Sequence, residues 1–205
     1  MRIPRLAALI PAVAAAAVLA VPAAAQASTS VRTLPSGITV NVTTQGVDHF
    51  INVTGTSGNN KILFKLIPAT SNISMPHIGV TDGVTTFDTK VDAIGTTGNT
   101  VITVNGVSGN DTINLAGLNT VPFVRGQLPP RVYKQATLKS GPGNSTLIAA
   151  NSGANVLVGG PGTNFLNTCN GRAGDVIHGS GNDTAQADKS DTLTGVTKLL
   201  SCVPK

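Results

Sequence analysis

A polar residue, one residue and an apolar residue, in most units led by a glycine two positions earlier, recur through residues 140–195, and this rhythm constrains the fold more than any other feature of the chain. The polar positions are Ser145, Asn155, Asn164, Asp175, Asp183 and Asp191, at spacings of 10, 9, 11, 8 and 8 residues. Two residues beyond each stands an apolar partner: Leu147, Leu157, Leu166, Ile177, Ala185 and Leu193. One inward-pointing side chain therefore accompanies each loop, and the spacings centre on nine.

Thr, Val, Ile, Asn and Gly dominate beyond residue 27 and helix formers are scarce, which favours strands separated by tight turns and makes the class all-β. Three short strands are predicted early, over 37–43, 50–54 and 61–67, each alternating well enough to bury one face. Residues 69–90 are less regular, with bends at Pro76 and Asp82-Gly83. The loop form reappears at Gly58-Asn-Asn-Lys-Ile62, Gly98-Asn-Thr-Val-Ile102 and Gly109-Asn-Asp-Thr-Ile113. Between the last two lies Asn105-Gly106, a strong hairpin signal that competes with a parallel arrangement, so the local topology stays open. Residues 119–139 interrupt the pattern with Pro122, Pro129, Pro130, Arg125, Arg131, Lys134 and Lys139 and read as a linker or loop. The expected organisation is a β-rich region over 28–118, that linker, and a repeat region over 140–205.

At the N-terminus Arg2 and Arg5 precede an apolar run over 6–21, and Ala25-Gln26-Ala27 ends it with small residues, the form of a cleavable signal peptide over 1–27. The run is mostly alanine and no basic stop-transfer cluster follows, so no membrane span is expected in the mature chain and the destination is extracellular. Removing Arg2 and Arg5 leaves twelve Lys and Arg against nine acidic residues, a charge too small and too scattered for nucleic acid. With no Trp and one Tyr, aromatic platforms for sugars or bases are almost absent. Cys169 and Cys202 are the only cysteines, and in an oxidising compartment they are expected to form one disulfide.

The unit Gly159-Gly-Pro-Gly-Thr-Asn-Phe-Leu-Asn167 fits the nonapeptide G-G-x-G-x-D-x-U-x except that Asn164 replaces the aspartate. Gly109-Asn-Asp-Thr112 and Gly181-Asn-Asp-Thr184 are close to a Gly-Asn-Asp-Thr loop. Here the sequence resembles the haemolysin-type calcium-binding repeat of RTX proteins, and small secreted bacterial proteins with degenerate repeats in particular. The resemblance covers the last 65 or so residues well and 96–118 weakly. It implies a right-handed parallel β-roll or β-solenoid, in which two nonapeptides make one turn and loops on the same edge lie two units apart. One edge would carry Ser145, Asn164 and Asp183, the other Asn155, Asp175 and Asp191. Stacked loops of that family hold Ca²⁺, a hard cation served by carboxylates and loop carbonyls. Asp175, Asp183, Asp191, Asn164 and Asp111 are the metal ligands so implied. Only Asp175 and Asp191 set two carboxylates on neighbouring rungs. Asn side chains can also stack in ladders without a cation, which gives a metal-free coil as the competing expectation.

No G-x-S-x-G elbow or H-E-x-x-H helix surrounds His49, His77 or His178, and with no Glu any paired-carboxylate hydrolase would need two of the aspartates already used by the repeat. The chain is therefore not expected to be an enzyme. The expected function is a secreted calcium-binding repeat protein. The alternatives are a metal-independent surface or adhesion module touching cell-envelope or extracellular polymer, and, behind it, a small polysaccharide hydrolase or lyase.

Overall fold

A computed structural model describes residues 27–70, 75–93, 99–120 and 132–202. The signal peptide expected over 1–27 lies outside the described residues except for Ala27, as do Gly98, Pro122, Arg125, Pro129, Pro130 and Arg131.

The chain is all-β. Its strands are β1 (Ser28–Thr33), β2 (Thr39–Gln45), β3 (Asp48–Thr54), β4 (Lys61–Ile67), β5 (His77–Thr81), β6 (Thr86–Asp92), β7 (Thr100–Asn105), β8 (Thr112–Gly117), β9 (Gln135–Lys139), β10 (Thr146–Ile148), β11 (Ala154–Val158), β12 (Phe165–Asn167), β13 (Val176–Gln186) and β14 (Thr192–Leu200). They join one mixed sheet in the order β1-β2-β3-β7-β9-β11-β13-β12-β10-β8-β4-β5-β6, with β14 beside β13.

Two parallel columns make up most of that order. In the first, β3, β7, β9, β11 and the start of β13 pair in register, followed by the start of β14. In the second, β4, β8, β10, β12 and the end of β13 do the same, followed by the end of β14. Strand β13 is long enough to serve both: Val176, Ile177 and His178 meet β11, whereas Thr184, Ala185 and Gln186 meet β12. β7 and β8 do not pair with each other, so Asn105-Gly106 is no hairpin turn. Gly106 instead begins the passage from one column to the other, its N–H donated to the Lys139 carbonyl.

Alternation explains the core. On the second column Ile62, Ile113, Leu147, Leu166 and Ala185 fall in one file, all buried. On the first, Val53, Val104, Leu138, Leu157 and Ile177 do the same. β-branched residues alternate with outward Thr, Asn and Lys, the pattern of a half-buried pleated surface.

Antiparallel hairpins cover the early side of both columns. β1 and β2 lie beside β3, where Gly46 at φ 62 supplies the left-handed backbone of a two-residue turn. β5 and β6 lie beside β4 and occupy the irregular stretch, turned at Asp82-Gly83 by the Asp82 carboxylate, which accepts the N–H groups of Val84 and Thr85.

The stretch 119–139, expected to be a linker, contains β9, paired on both sides in the middle of the first column. The parallel ladders also run without a break from β3 and β4 to β13, so the boundaries expected at 118 and 140 coincide with no change of pairing. Cys169 and Cys202 form the expected disulfide, across a separation of 33 residues.

Candidate functional site

The polar repeat positions lie at the edges where the chain crosses between columns. Asn60, Asp111, Ser145, Asn164 and Asp183 stack along one edge, all buried. Each after Asn60 carries a side-chain oxygen back to the rung before it. The Asn60 N–H donates to Asp111 Oδ1 at 3.0 Å, the Asp111 N–H to Ser145 Oγ at 3.0 Å, the Ser145 N–H to Asn164 Oδ1 at 3.0 Å and the Asn164 N–H to Asp183 Oδ1 at 2.8 Å. The steps are 51, 34, 19 and 19 residues. These are loop amides with no strand partner, and burying them unpaired would be costly.

A second ladder runs in the opposite sense at the exposed rim of the same loops. The Asn110 N–H donates to Asn59 Oδ1, the Asn144 N–H to Asn110 Oδ1 and the Thr163 N–H to Asn144 Oδ1, at 2.7–2.8 Å. The loops of Asn60, Asp111, Ser145 and Asn164 are thus tied in succession by inner and outer side chains, and the Asp183 loop joins them through the inner ladder.

Glycine is required where these loops touch. Gly143, at φ 133, would place a Cβ 2.1 Å from the Gly109 carbonyl oxygen, and Gly162, at φ 127, would do the same against Gly143. The stack therefore demands both a left-handed backbone and the absence of a side chain at these positions.

The opposite edge carries Asn155, Asp175 and Asp191. The Asn155 N–H donates to Asp175 Oδ1 at 2.8 Å and the Asp175 N–H to Asp191 Oδ1 at 3.2 Å. Asp175 also accepts the Asn155 amide on both oxygens, at 3.1 and 3.2 Å, and the Asn170 amide on Oδ2 at 2.6 Å. Asp191 Oδ2 accepts the Thr168 hydroxyl at 2.8 Å and the Asp188 N–H at 3.0 Å. Burial pushes the Asp175 carboxyl above its ordinary range, and the Asp191 charge adds to this while the Asn155 and Asn170 hydrogen bonds oppose it. Tyr133 completes the cluster, its hydroxyl donating to Asn155 Oδ1 at 2.6 Å, and burial pushes its titration up as well.

Asp111 departs from the pattern. Its Oδ1 accepts the backbone and side-chain amides of Asn60, but its buried Oδ2 has no hydrogen-bond partner among the described residues. At Asp183 the corresponding oxygen accepts the Ser180 N–H at 2.8 Å, three residues earlier. At Asp111 that donor is Ser108, which is turned away to the Gly106 carbonyl at 3.1 Å across Val107, held at φ 72. This is a γ-turn of the rare positive-φ kind. Desolvation accordingly raises the Asp111 carboxyl, against the lowering effect of Asn60.

The sequence-predicted residues thus assemble on two edges: Asp111, Asn164 and Asp183 on one, Asp175 and Asp191 on the other. Sequence reasoning missed Asn60 as the fifth rung, the outer Asn59, Asn110 and Asn144, and the roles of Asn170 and Tyr133. Its signal for Asn60 was Gly58-Asn-Asn-Lys-Ile62, hidden by a 51-residue step. Among the described residues no group of three or more His, Cys, Asp or Glu side chains is placed to hold a metal ion, and no helix is long and apolar enough to cross a membrane. His49, His77 and His178 lie apart, paired respectively with Thr44, Asp88 and Thr194. Compared with family models, curated proteins and solved structures, the chain matches none.

Proposed function

We propose that the two columns are the faces of a parallel β-solenoid, degenerate in the manner of haemolysin-type repeats, that works outside the cell as a metal-independent surface or adhesion module. The observation that carries this reading is the inner ladder, where side-chain oxygens at the repeat positions accept the N–H groups of neighbouring loops. Ca²⁺ takes six to eight oxygens at about 2.3–2.6 Å. At Asp175 and Asp191 all four carboxylate oxygens instead accept N–H or O–H donors at 2.6–3.2 Å. Those donors point their positive ends at the oxygens a cation would use, which favours a coil held by its own hydrogen bonds over one that needs the ion.

What the coil would present is the outer face of the first column. Asn52, Thr103, Thr137, Val156, Val176 and Thr192 form one file across it, and Thr54, Asn105, Lys139, Val158, His178 and Thr194 the next. Strand spacing sets the members of each file about 4.8 Å apart, and the two files lie about 6.6 Å apart along the strand. A nearly neutral, regular array of hydroxyl, amide and methyl groups suits an uncharged extracellular polymer better than a charged one.

Two experiments separate the parts of this reading. Melting of the mature protein should be the same in millimolar Ca²⁺ and in chelator. Co-sedimentation with insoluble neutral envelope polysaccharide should be lost in a Thr137→Glu variant that melts normally. Failure to sediment with any such polymer overturns the adhesion role. The calcium reading keeps one supporting observation, the like charges of Asp175 and Asp191 on adjacent rungs. A Ca²⁺-dependent rise in melting temperature that Asp175→Asn abolishes would put it first.

A further inference from the structure

β14 is the only strand of the two columns without a buried residue. Leu199, in file with the buried Ala185, is 63% exposed, and Leu193 and Val196 are only partly covered. It meets β13 in two stretches interrupted by register shifts. Beyond that pairing, its side chains add the Thr197 hydroxyl donated to the Asp183 carbonyl and the Thr194 hydroxyl, which meets His178 at 2.8 Å and the Ile177 carbonyl at 3.4 Å. A strand this poorly packed would be the first to open locally.

What pins it is covalent. Cys202, two residues past β14, is bonded to Cys169, two residues past β12. Both cysteines are half-buried and line an open cleft of about 670 Å³ together with Ala149, Asn167, Gln186 and Asp188. A small dithiol can therefore approach the bond without prior unfolding.

We infer that the Cys169–Cys202 bond is a redox latch on β14, so that a dithiol reductant frees this strand while the columns from β3 to β12 stay folded. A reductant thiolate attacks one cysteine sulfur and breaks the Cys169–Cys202 bond. Its second thiol then closes the reductant's own cyclic disulfide, and two electrons and two protons pass to Cys169 and Cys202 as thiols. Release uncovers Ile177 and Ala185, now fully buried, and exposes the edge of β13. Neither the metal-free reading nor the adhesion role is needed for this.

The test is hydrogen exchange of the full chain with and without dithiothreitol, with thiol alkylation to confirm reduction. Amides of 192–200 should exchange about tenfold faster or more once the bond is cut, as for any locally released segment. Those of 146–148 and 165–167 should be unchanged, and binding of an apolar dye should rise. A Cys202→Ser chain should show the same pattern without reductant; if it does not fold, the reductant experiment on the native chain still decides. Alkylated thiols with unchanged exchange over 192–200 would overturn the latch. So would a rise in exchange throughout the chain, or a bond that resists reduction under native conditions.

Discussion

Asp183 Oδ1 accepts the backbone N–H of Asn164, nineteen residues earlier, at 2.8 Å, while its Oδ2 accepts the N–H of Ser180 in its own loop at the same distance. One buried carboxylate closes a loop and fastens it to the next. The fastening half of this device recurs at Asp111, Ser145 and Asn164, where an Asp, Ser or Asn oxygen accepts the N–H of the rung before.

Replacing Asp183 with Ala leaves the Asn164 amide buried and unpaired and frees the more exposed Ser180 amide. Unfolding in urea should show a loss of roughly 1–3 kcal/mol, the cost of one orphaned buried donor. Asp183→Asn should lose less, because its one remaining oxygen can still accept the Asn164 N–H, as Asn164 Oδ1 accepts that of Ser145, and only the Ser180 N–H is left facing an amide NH2. Equal losses in the two variants would mean that the oxygen is not what matters.

Asp111 gives a pH dependence of defined sign. Burial raises its carboxyl in the folded chain, against the opposing Asn60 hydrogen bonds. A raised acid contributes its full stability below the unfolded value and loses it as pH rises through the folded value. Acidification from neutrality toward the ordinary carboxylate range should therefore raise the melting temperature, with the raised Asp175 acting the same way. Asp88 and Asp82 oppose this only at lower pH: burial would raise Asp88, but Lys90 and His77 bring it below its usual range, and the Thr85 and Val84 N–H groups lower Asp82. Asp111→Asn should stabilise the neutral protein, and its advantage should shrink as pH falls. Parallel melting curves for the two proteins would refute this assignment.

Two glycines with left-handed backbones separate close approach from conformation. A Cβ on Gly143 would sit 2.1 Å from the Gly109 carbonyl oxygen, whereas one on Gly171 would meet nothing within 4 Å. Gly171→Ala should cost about 1–2 kcal/mol for the backbone alone. Gly143→Ala must also push two loops apart and should cost at least twice as much, read from denaturation midpoints.

Val107 is a valine at φ 72, a conformation strained for any β-branched residue. Val107→Gly should raise stability by about 1 kcal/mol, net of the entropy glycine adds to the unfolded chain. A loss of stability would show that contacts of the partly exposed valine side chain outweigh the backbone strain.

The all-β class, three early strands and the late loops were legible because alternation and glycine punctuation act locally. The order of Ser145, Asn164 and Asp183 on one edge also followed from spacing, because steps of nineteen residues separate them. The rungs at Asn60 and Asp111 were not legible as such. A hairpin inserted after β4 and the chain between β8 and β9 lengthen those steps to 51 and 34 residues, which no local period can reveal. β9 was lost for a related reason: Lys134 and Lys139 bracket Gln-Ala-Thr-Leu and disguise a strand whose Ala136 and Leu138 are buried. The hairpin signal of Asn105-Gly106 left the topology open because an Asn-Gly pair has more than one use: here the left-handed position is Val107, and position 106 needs glycine because a Cβ would run into Asp111 Oδ2.

The ladder itself offers the most direct test. Asn60, Asp111, Ser145, Asn155 and Asn164 each donate a backbone N–H to a side-chain oxygen on the following rung. Residue-resolved amide exchange of these five groups in the presence of chelator should be as slow as that of the neighbouring strand amides, and added Ca²⁺ should leave it unchanged. Fast exchange in chelator that becomes slow only when Ca²⁺ is supplied would contradict a coil held by its own hydrogen bonds.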